Sequence, residues 1–293
     1  MPAHEGRASA RIATGLVDYQ EANKLQAVDA TATNPDLASG RGLVDARSLE
    51  AHVSVIIPAL NEADNLPYVL PRIPAWVSEV LLVDGWSTDG TPEVAQELMP
   101  DVRIIQQTGR GKGNALRTGF AAATGDIIVM LDADGSMDPR EIPAFIGALL
   151  AGADMAKGSR FLQGGGTRDM PFYRKWGNGF FVLFVNVLFG GRYSDLCYGY
   201  AAFWRSMVPE LSIDCDGFEV ETLLNVRALR AGWRVSEVPS FEAPRVHGIG
   251  RLRTIPDGWR VLKSLLREAF YHYTRQEIAP GVSAPAVAVN EAA

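Results

Sequence analysis

Between residues 50 and 157, short apolar runs alternate with stretches whose apolar positions recur at helical spacing. The runs predict buried strands at residues 53–57, 80–83, 102–105, 127–131 and 153–156. Helices are predicted between them: Asn61 caps one beginning at Glu62, Thr91 before Pro92 starts a second, and Pro139 opens a third that runs to Leu150. Strand and helix in regular succession give an α/β, Rossmann-like fold with a mostly parallel central sheet flanked by helices. Ligands then gather at the carboxyl ends of the strands.

Outside this pattern the chain changes character. Residues 1–50 have no sustained periodicity, and residues 278–293 are rich in Ala, Pro and Val without a packable face, so both read as flexible tails, of which residues 1–45 and 280–293 are expected to be dispensable for folding. The catalytic domain is expected over residues 51–254, followed by a helix at 255–277. Two apolar segments stand out within this part. FFVLFVNVLF, residues 180–189, would span ~15 Å as a helix, half the hydrocarbon thickness of a bilayer, and so cannot cross one alone. It is expected to be a buried core helix or, flanked by Arg174, Lys175 and Arg192, a segment lying in a membrane interface. In the second, Ile255, Trp259, Leu262, Leu266, Phe270 and Tyr273 recur at spacings of three or four with Arg260, Lys263 and Arg267 between them. This is an amphipathic basic helix, suited to pack on the domain or to touch a membrane.

Composition narrows the function. The 293 residues are 47% hydrophobic and carry a net charge of −6, which fits a globular domain and argues against a general nucleic-acid binder. Two cysteines and four histidines, with no CxxC pair, argue against a disulfide scaffold or a zinc site. The first residues lack the apolar region of a signal peptide, and no stretch reaches ~18 uninterrupted apolar residues. The expected location is the cytoplasm, with peripheral contact on the inner face of a membrane.

The sharpest chemical signal is IIVMLDADGSMDP, residues 127–139, in which an apolar strand runs directly into Asp132 and Asp134. Two carboxylates at a strand end converge on a hard cation, Mg2+ or Mn2+, able to bridge diphosphate oxygens as a leaving group acquires charge. Taken alone, the same residues also make an ordinary turn in which the aspartates bond their own backbone. Company decides between the two. VSVIIPALNEADNL (53–66) brings Glu62 to the end of the first strand, and VLLVDGWSTDGT (80–91) brings Asp84 to the end of the second. GRGKGNAL (109–116) adds Lys112 to neutralise a phosphate, without the spacing of an ATPase phosphate loop.

PxxNE, VDxxSTDGT, GRGKGNAL and DAD, in that order, resemble the family 2 glycosyltransferases, inverting enzymes of the GT-A fold. The resemblance spans about residues 53–260 and is closest to the dolichyl or polyprenyl phosphate branch. It implies a nucleotide-sugar donor, with Pro58, Leu60, Glu62 and Asp84 holding base and ribose and Asp132 and Asp134 holding the metal. Ser136 stands where that branch often has glutamine as a further metal ligand. Arg160, in KGSRF, resembles the Ser-Arg pair with which the branch contacts phosphate, and an arginine fork suits phosphate capture. Asp195, in SDLCYGYAAFWR, matches an acid of the acceptor-side segment. Arg245, in EAPRVHGIGRLR, is the candidate clamp on the donor diphosphate; there the branch usually has R-x-x-G-x-S-K, so that only Arg245 and Gly248 transfer.

The reaction this implies is a single in-line displacement with inversion. A polyprenyl phosphate acceptor is already ionised near neutral pH and needs no general base, whereas a hydroxyl acceptor requires one, with Asp195, Glu219 and Glu221 as candidates. Two other classes share such a site. A nucleotidyltransferase would form a new sugar nucleotide and release pyrophosphate, and a nucleotide-sugar sensor would have no use for a metal at a leaving group.

Overall fold

A computed structural model describes residues 51–270. The predicted tails at 1–50 and 278–293, residues 271–277 of the expected last helix and Tyr273 on its stripe therefore lie outside the described residues. Four parallel strands form one half of the sheet: β1 (Val53–Ala59), β2 (Glu79–Asp84), β3 (Arg103–Gln106) and β4 (Ile127–Met130). Three more complete it: β5 (Met155–Ser159), β7 (Ala201–Trp204) and β8 (Val235–Pro239), in the order β3-β2-β1-β4-β7-β5-β8. The two-residue strands β6 (Gly166–Thr167) and β9 (Phe241–Glu242) pair separately.

β7 is the one antiparallel member of the seven. It pairs with β4 through Met130 and Ala201 and with β5 through Ala156 and Ala202. Sequence periodicity foresaw neither β7 nor β8, because β7 is a four-residue run and β8 alternates with polar residues. β4 is buried along its whole length, as a central strand covered on both faces must be. Its side chains leave no polar group before the chain reaches Asp132.

The helices follow the capping signals in two places out of three. Helix α1 (Thr91–Leu98) starts where Pro92 predicts, although left-handed Gly90 precedes it and Asp89, accepting from the Thr91 amide at 3.0 Å, stabilises the start. A single 3-10 turn at Pro139–Glu141 leads into α3 (Ile142–Leu150), and Asp138 caps that turn. The helix expected from Glu62 does not form. Asn61 is left-handed (φ 51°) and accepts from the Thr88 amide at 2.8 Å, and Pro67, Pro71 and Pro74 limit the segment to two 3-10 turns, Leu66–Tyr68 and Leu70–Arg72. Glu62 is held there by its amide, which donates to Thr91 Oγ1 at 2.8 Å. Helix α2 (Lys112–Ala122) covers β1 and β2, with Gly119 at the crossing.

Helix α4 (Phe172–Phe189), helix α5 (Glu219–Arg230) and helix α6 (Thr254–Phe270) share a satellite core of Val185, Tyr193, Leu196, Val226, Val261 and Leu265. The segment 180–189 is thus neither wholly buried nor free: α4 buries Asn178 and Val185 and exposes Phe172, Trp176, Phe180, Leu183 and Val187 along one stripe. α6 likewise buries Val261 and Leu265 while Ile255, Trp259, Leu266 and Phe270 face outward. Its inner side is clasped by Glu268, which accepts from Arg227 (2.9 Å) and Arg230 (3.1 Å).

A methyl group added at Gly119 would stand 2.5 Å from Ile56 Cγ2 and 3.1 Å from Val83 Cγ2. Gly119→Ala is therefore expected to destabilise the domain by about 1–3 kcal/mol through overpacking, read as a lower midpoint in urea unfolding with an unchanged slope.

Candidate donor site

The carboxyl ends of β1, β2 and β4 carry the acids that the sequence singles out, and the neighbouring loops bring two cations to them. Asp132 and Asp134 follow β4 directly. Lys112, the first residue of α2, reaches Asp132 Oδ1 at 2.6 Å and Glu221 Oε1 of α5 at 2.6 Å. Burial disfavours the ammonium, but Asp132 and Glu221 outweigh it and raise the lysine pKa. The Asp132 carboxyl is raised as well, first by burial, then by Glu221 and Asp134, against the pull of Lys112. Gly199 permits this approach: a Cβ there would meet Glu221 Oε1 at 2.7 Å and Lys112 Nζ at 2.9 Å.

The second cation is Arg245, whose guanidinium lies between Glu62 and Asp134, 3.4 Å from Asp134 Oδ2. It sits on a strap, residues 243–251, laid over the strand ends. Within the strap the Ala243 amide donates to Ser136 O (2.9 Å), the Val246 amide to Asp134 O (3.3 Å), and the His247 amide to Asn65 Oδ1 (2.8 Å). Arg251 adds a bond to the Leu60 carbonyl at 2.8 Å. Asn65 also donates to Glu62 Oε2 at 2.6 Å and so orients the carboxylate.

At the end of β2, Asp84 is buried and accepts from the amides of Trp86 (3.1 Å) and Ser87 (3.2 Å). Pro58 and Leu60 are half-buried beside it at the end of β1, which pairs with β2 through Ala59 and Asp84. Trp86, left-handed at φ 68° and 60% exposed, presents an aromatic face next to this acid. Strain of this kind in a non-glycine residue concentrates at functional positions.

Among the described residues no group of three or more His, Cys, Asp or Glu side chains forms a ready metal shell. Asp132 and Asp134 are nonetheless partly open, 28% and 24% exposed, and each already faces a protein cation. Such a donor set suits a hard cation held jointly by one or two carboxylates, phosphate oxygens and water, the ordinary habit of Mg2+. It does not suit a cation held by protein alone. Ser136 contributes here through its backbone: its amide donates to Asp134 Oδ1 at 3.0 Å and its carbonyl anchors the strap.

Two expected site residues are paired with each other. Arg160 is buried, with Nε and Nη2 on Asp195 (2.6 and 2.9 Å) and Nη1 on Glu242 (3.0 Å). Asp195 is fully buried with both oxygens on Arg160. Sequence reasoning gave no role to Asn65, Gly199 or Lys157, although each lies within a segment singled out above (VSVIIPALNEADNL, SDLCYGYAAFWR and KGSRF), because their partners are brought to them only by the fold.

The family model described as glycosyl transferase family 2 matches residues 54–212. The chain is 34% identical to the polyprenol monophosphomannose synthase of Mycolicibacterium smegmatis over 68% of its own length and 80% of that protein's. It is 33% identical to the dolichol-phosphate mannosyltransferase of Pyrococcus furiosus over 69% of its own length, and spans only 59% of that longer relative. In fold it is similar to the glucosyl-3-phosphoglycerate synthase of Mycobacterium tuberculosis, solved with Mn2+, UDP and phosphoglyceric acid. That likeness has a TM-score of 0.59 at 24% identity and covers 75% of this chain and 79% of the other.

Burial alone would raise the Asp195 carboxyl, but Arg160, with Lys157, outweighs it and holds it below the ordinary 3.8. A lowered carboxyl contributes stability that is fully present above the unfolded value and is lost as pH falls through the folded one. Asp195→Asn is thus expected to cost about 3 kcal/mol near pH 7, and the gap to the unaltered protein should shrink in acid below pH 3.8. Urea midpoints measured across pH 2–7 check this.

Proposed function

Since this chain belongs to glycosyl transferase family 2, we propose that it transfers a sugar from a nucleoside diphosphate donor to a polyprenyl phosphate, with inversion and with the help of Mg2+ or Mn2+. The observation that carries the reading is the gathering of Glu62, Asp84, Asp132, Asp134, Lys112 and Arg245 at three adjacent strand ends. Glu62 and Asp84 hold the base and ribose. Lys112 and Arg245 face the diphosphate while keeping their carboxylate neighbours. A divalent cation held by Asp132 and Asp134 supplies charge where the leaving group becomes more negative.

Two features favour a phosphate acceptor over a hydroxyl. The relatives named above act, by their names, on polyprenol and dolichol phosphate. Of the three acids named as candidate bases, Asp195 is held by Arg160 and Glu221 by Lys112, which leaves Glu219, with a buried Oε2 that has no hydrogen-bond partner, as the one a hydroxyl acceptor would call on. An ionised phosphate needs none of them, and positioning with charge stabilisation carries the rate.

A lipid acceptor requires approach to a bilayer, and the outward stripes of α4 and α6 provide an apolar face for it. Among the described residues no helix is long and apolar enough to cross a membrane, so the contact proposed is peripheral, on the inner face. The basic contribution is smaller than the sequence implies. Arg260 lies 3.2 Å from Asp257 and Arg267 lies 3.1 Å from Asp214, which leaves exposed Lys175, Arg192 and Lys263, with the aromatic residues, as the main anchors.

Asp134→Ala is expected to reduce Mn2+-dependent binding of GDP or UDP at least tenfold, measured by calorimetry, with the fold retained by circular dichroism. Undiminished metal-dependent affinity would remove Asp134 from the site. Incubating the protein with a panel of nucleotide sugars, Mn2+ and polyprenyl phosphate should yield a lipid-linked sugar and a nucleoside diphosphate. Pyrophosphate release, or transfer only to soluble hydroxyl acceptors, would defeat the acceptor reading.

In co-sedimentation, the protein is expected to bind anionic liposomes and to lose most of that binding on Trp259→Ser combined with Phe180→Ser. Lys263→Glu should weaken it by roughly 1–2 kcal/mol, an effect that fades with added salt. Retention of full binding in the serine variant would rule out this face.

A further inference from the structure

β5 carries a lysine in an otherwise apolar stretch of the sheet. The Lys157 side chain is buried; its Nζ donates to the Gly158 carbonyl at 2.9 Å and stands 5.5 Å from the centre of the Tyr198 ring. Among the described residues no carboxylate comes within ion-pair distance of it. Burial lowers its pKa, which Asp195, Glu221 and Glu237 only partly counter. The ammonium is short of partners.

Lys157 lines a cavity of about 10 Å³ together with Gly199, Glu221 and Asn225. That is space for one water, and a buried water needs two to four polar neighbours. Asn225 supplies an unmet need: its Nδ2 donates to the carbonyls of Leu196 (3.2 Å) and Glu221 (3.0 Å), while its buried Oδ1 has no partner. Native structures seldom leave such an acceptor orphaned. Glu221, on the same wall, gives Oε1 to Lys112.

We propose that one buried water joins these groups, accepting from Lys157 Nζ and donating to Asn225 Oδ1 and to Glu221, and that Lys157 is thereby a positioning residue for the donor site. The inference rests on the donor-site reading above. Lys157 fixes Glu221 from behind, and Glu221 shares Lys112 with Asp132. Without that anchor Lys112 falls to Asp132 alone and competes with the cation that the aspartate is to hold. Residues that orient first ligands from behind commonly change metal affinity when removed.

Calorimetry of Mn2+ with GDP or UDP tests the chain of contacts. Lys157→Met, which keeps the length and removes the charge, is expected to weaken Mn2+-dependent nucleotide binding about tenfold. Glu221→Gln should show a similar loss, and the double variant no more than either single one, because both act through one contact. Unchanged affinity in Lys157→Met alongside a lower Tm makes the lysine purely structural and overturns the proposal, as do additive losses in the double variant. Should Lys157→Met fail to fold, a high-resolution crystal structure of the unaltered protein decides. An ordered water within hydrogen-bond distance of Lys157, Asn225 and Glu221 supports the proposal, and an empty cavity overturns it. If the unaltered protein itself binds neither nucleotide with Mn2+, the donor-site reading fails, and the role given to Lys157 fails with it; loss confined to the variants cannot be confused with that result.

Discussion

Mutual repulsion among acids is the constraint around which this molecule is organised. Glu62, Asp132 and Asp134 converge on one cleft because parallel strands deliver their carboxyl ends to the same edge, and α5 brings Glu221 to join them. Acids brought together at low solvent exposure need positive partners, and two side chains supply them, one from each side. Lys112 arrives at the start of a helix and Arg245 on a loop. The requirements then spread outward: position 199 must be glycine to let the lysine in, and Asn65 must orient Glu62 while it ties down the loop that carries the arginine.

The parallel half of the sheet and the acids at its edge were legible in the sequence. Buried parallel strands are continuous apolar runs, and residues 127–131 or 80–83 admit little else. What escaped was set by tertiary contact. β7 is short and reverses direction, which no local pattern records, and the expected helix after Glu62 gave way to prolines whose effect is plain once the Thr88 bond to Asn61 is seen. The assignments of Arg160 and Asp195 rested on motif likeness. The carboxylates that meet Arg160, those of Asp195 and Glu242, lie 35 and 82 residues further along the chain, and single motifs are blind to such partners.

Helices α4, α5 and α6 add a second level of order. Glu268 is 3% exposed and is met by Arg227 and Arg230, so α6 is secured along its inner side by charge as well as by Val261 and Leu265. Breaking a buried ionic cluster of this kind is costly, since it leaves a charge without compensation. α6 is accordingly a built-in wall with two finished faces, unlike an amphipathic segment that folds only when it meets lipid. Any surface that receives its outer face receives a preformed one, with the ordering entropy already lost on folding.

The strap over residues 243–251 carries a consequence for affinity. Its bonds to Asp134, Ser136, Asn65 and Leu60 fix the guanidinium between Glu62 and Asp134 before any ligand arrives. The measured Kd of a ligand is its intrinsic value divided by the fraction of molecules already competent to receive it. On the donor reading proposed above, the strap keeps that fraction high by holding its arginine ready for a diphosphate, the part that all such donors share. Loosening the strap would weaken every nucleotide alike and leave selectivity among bases and sugars where it was.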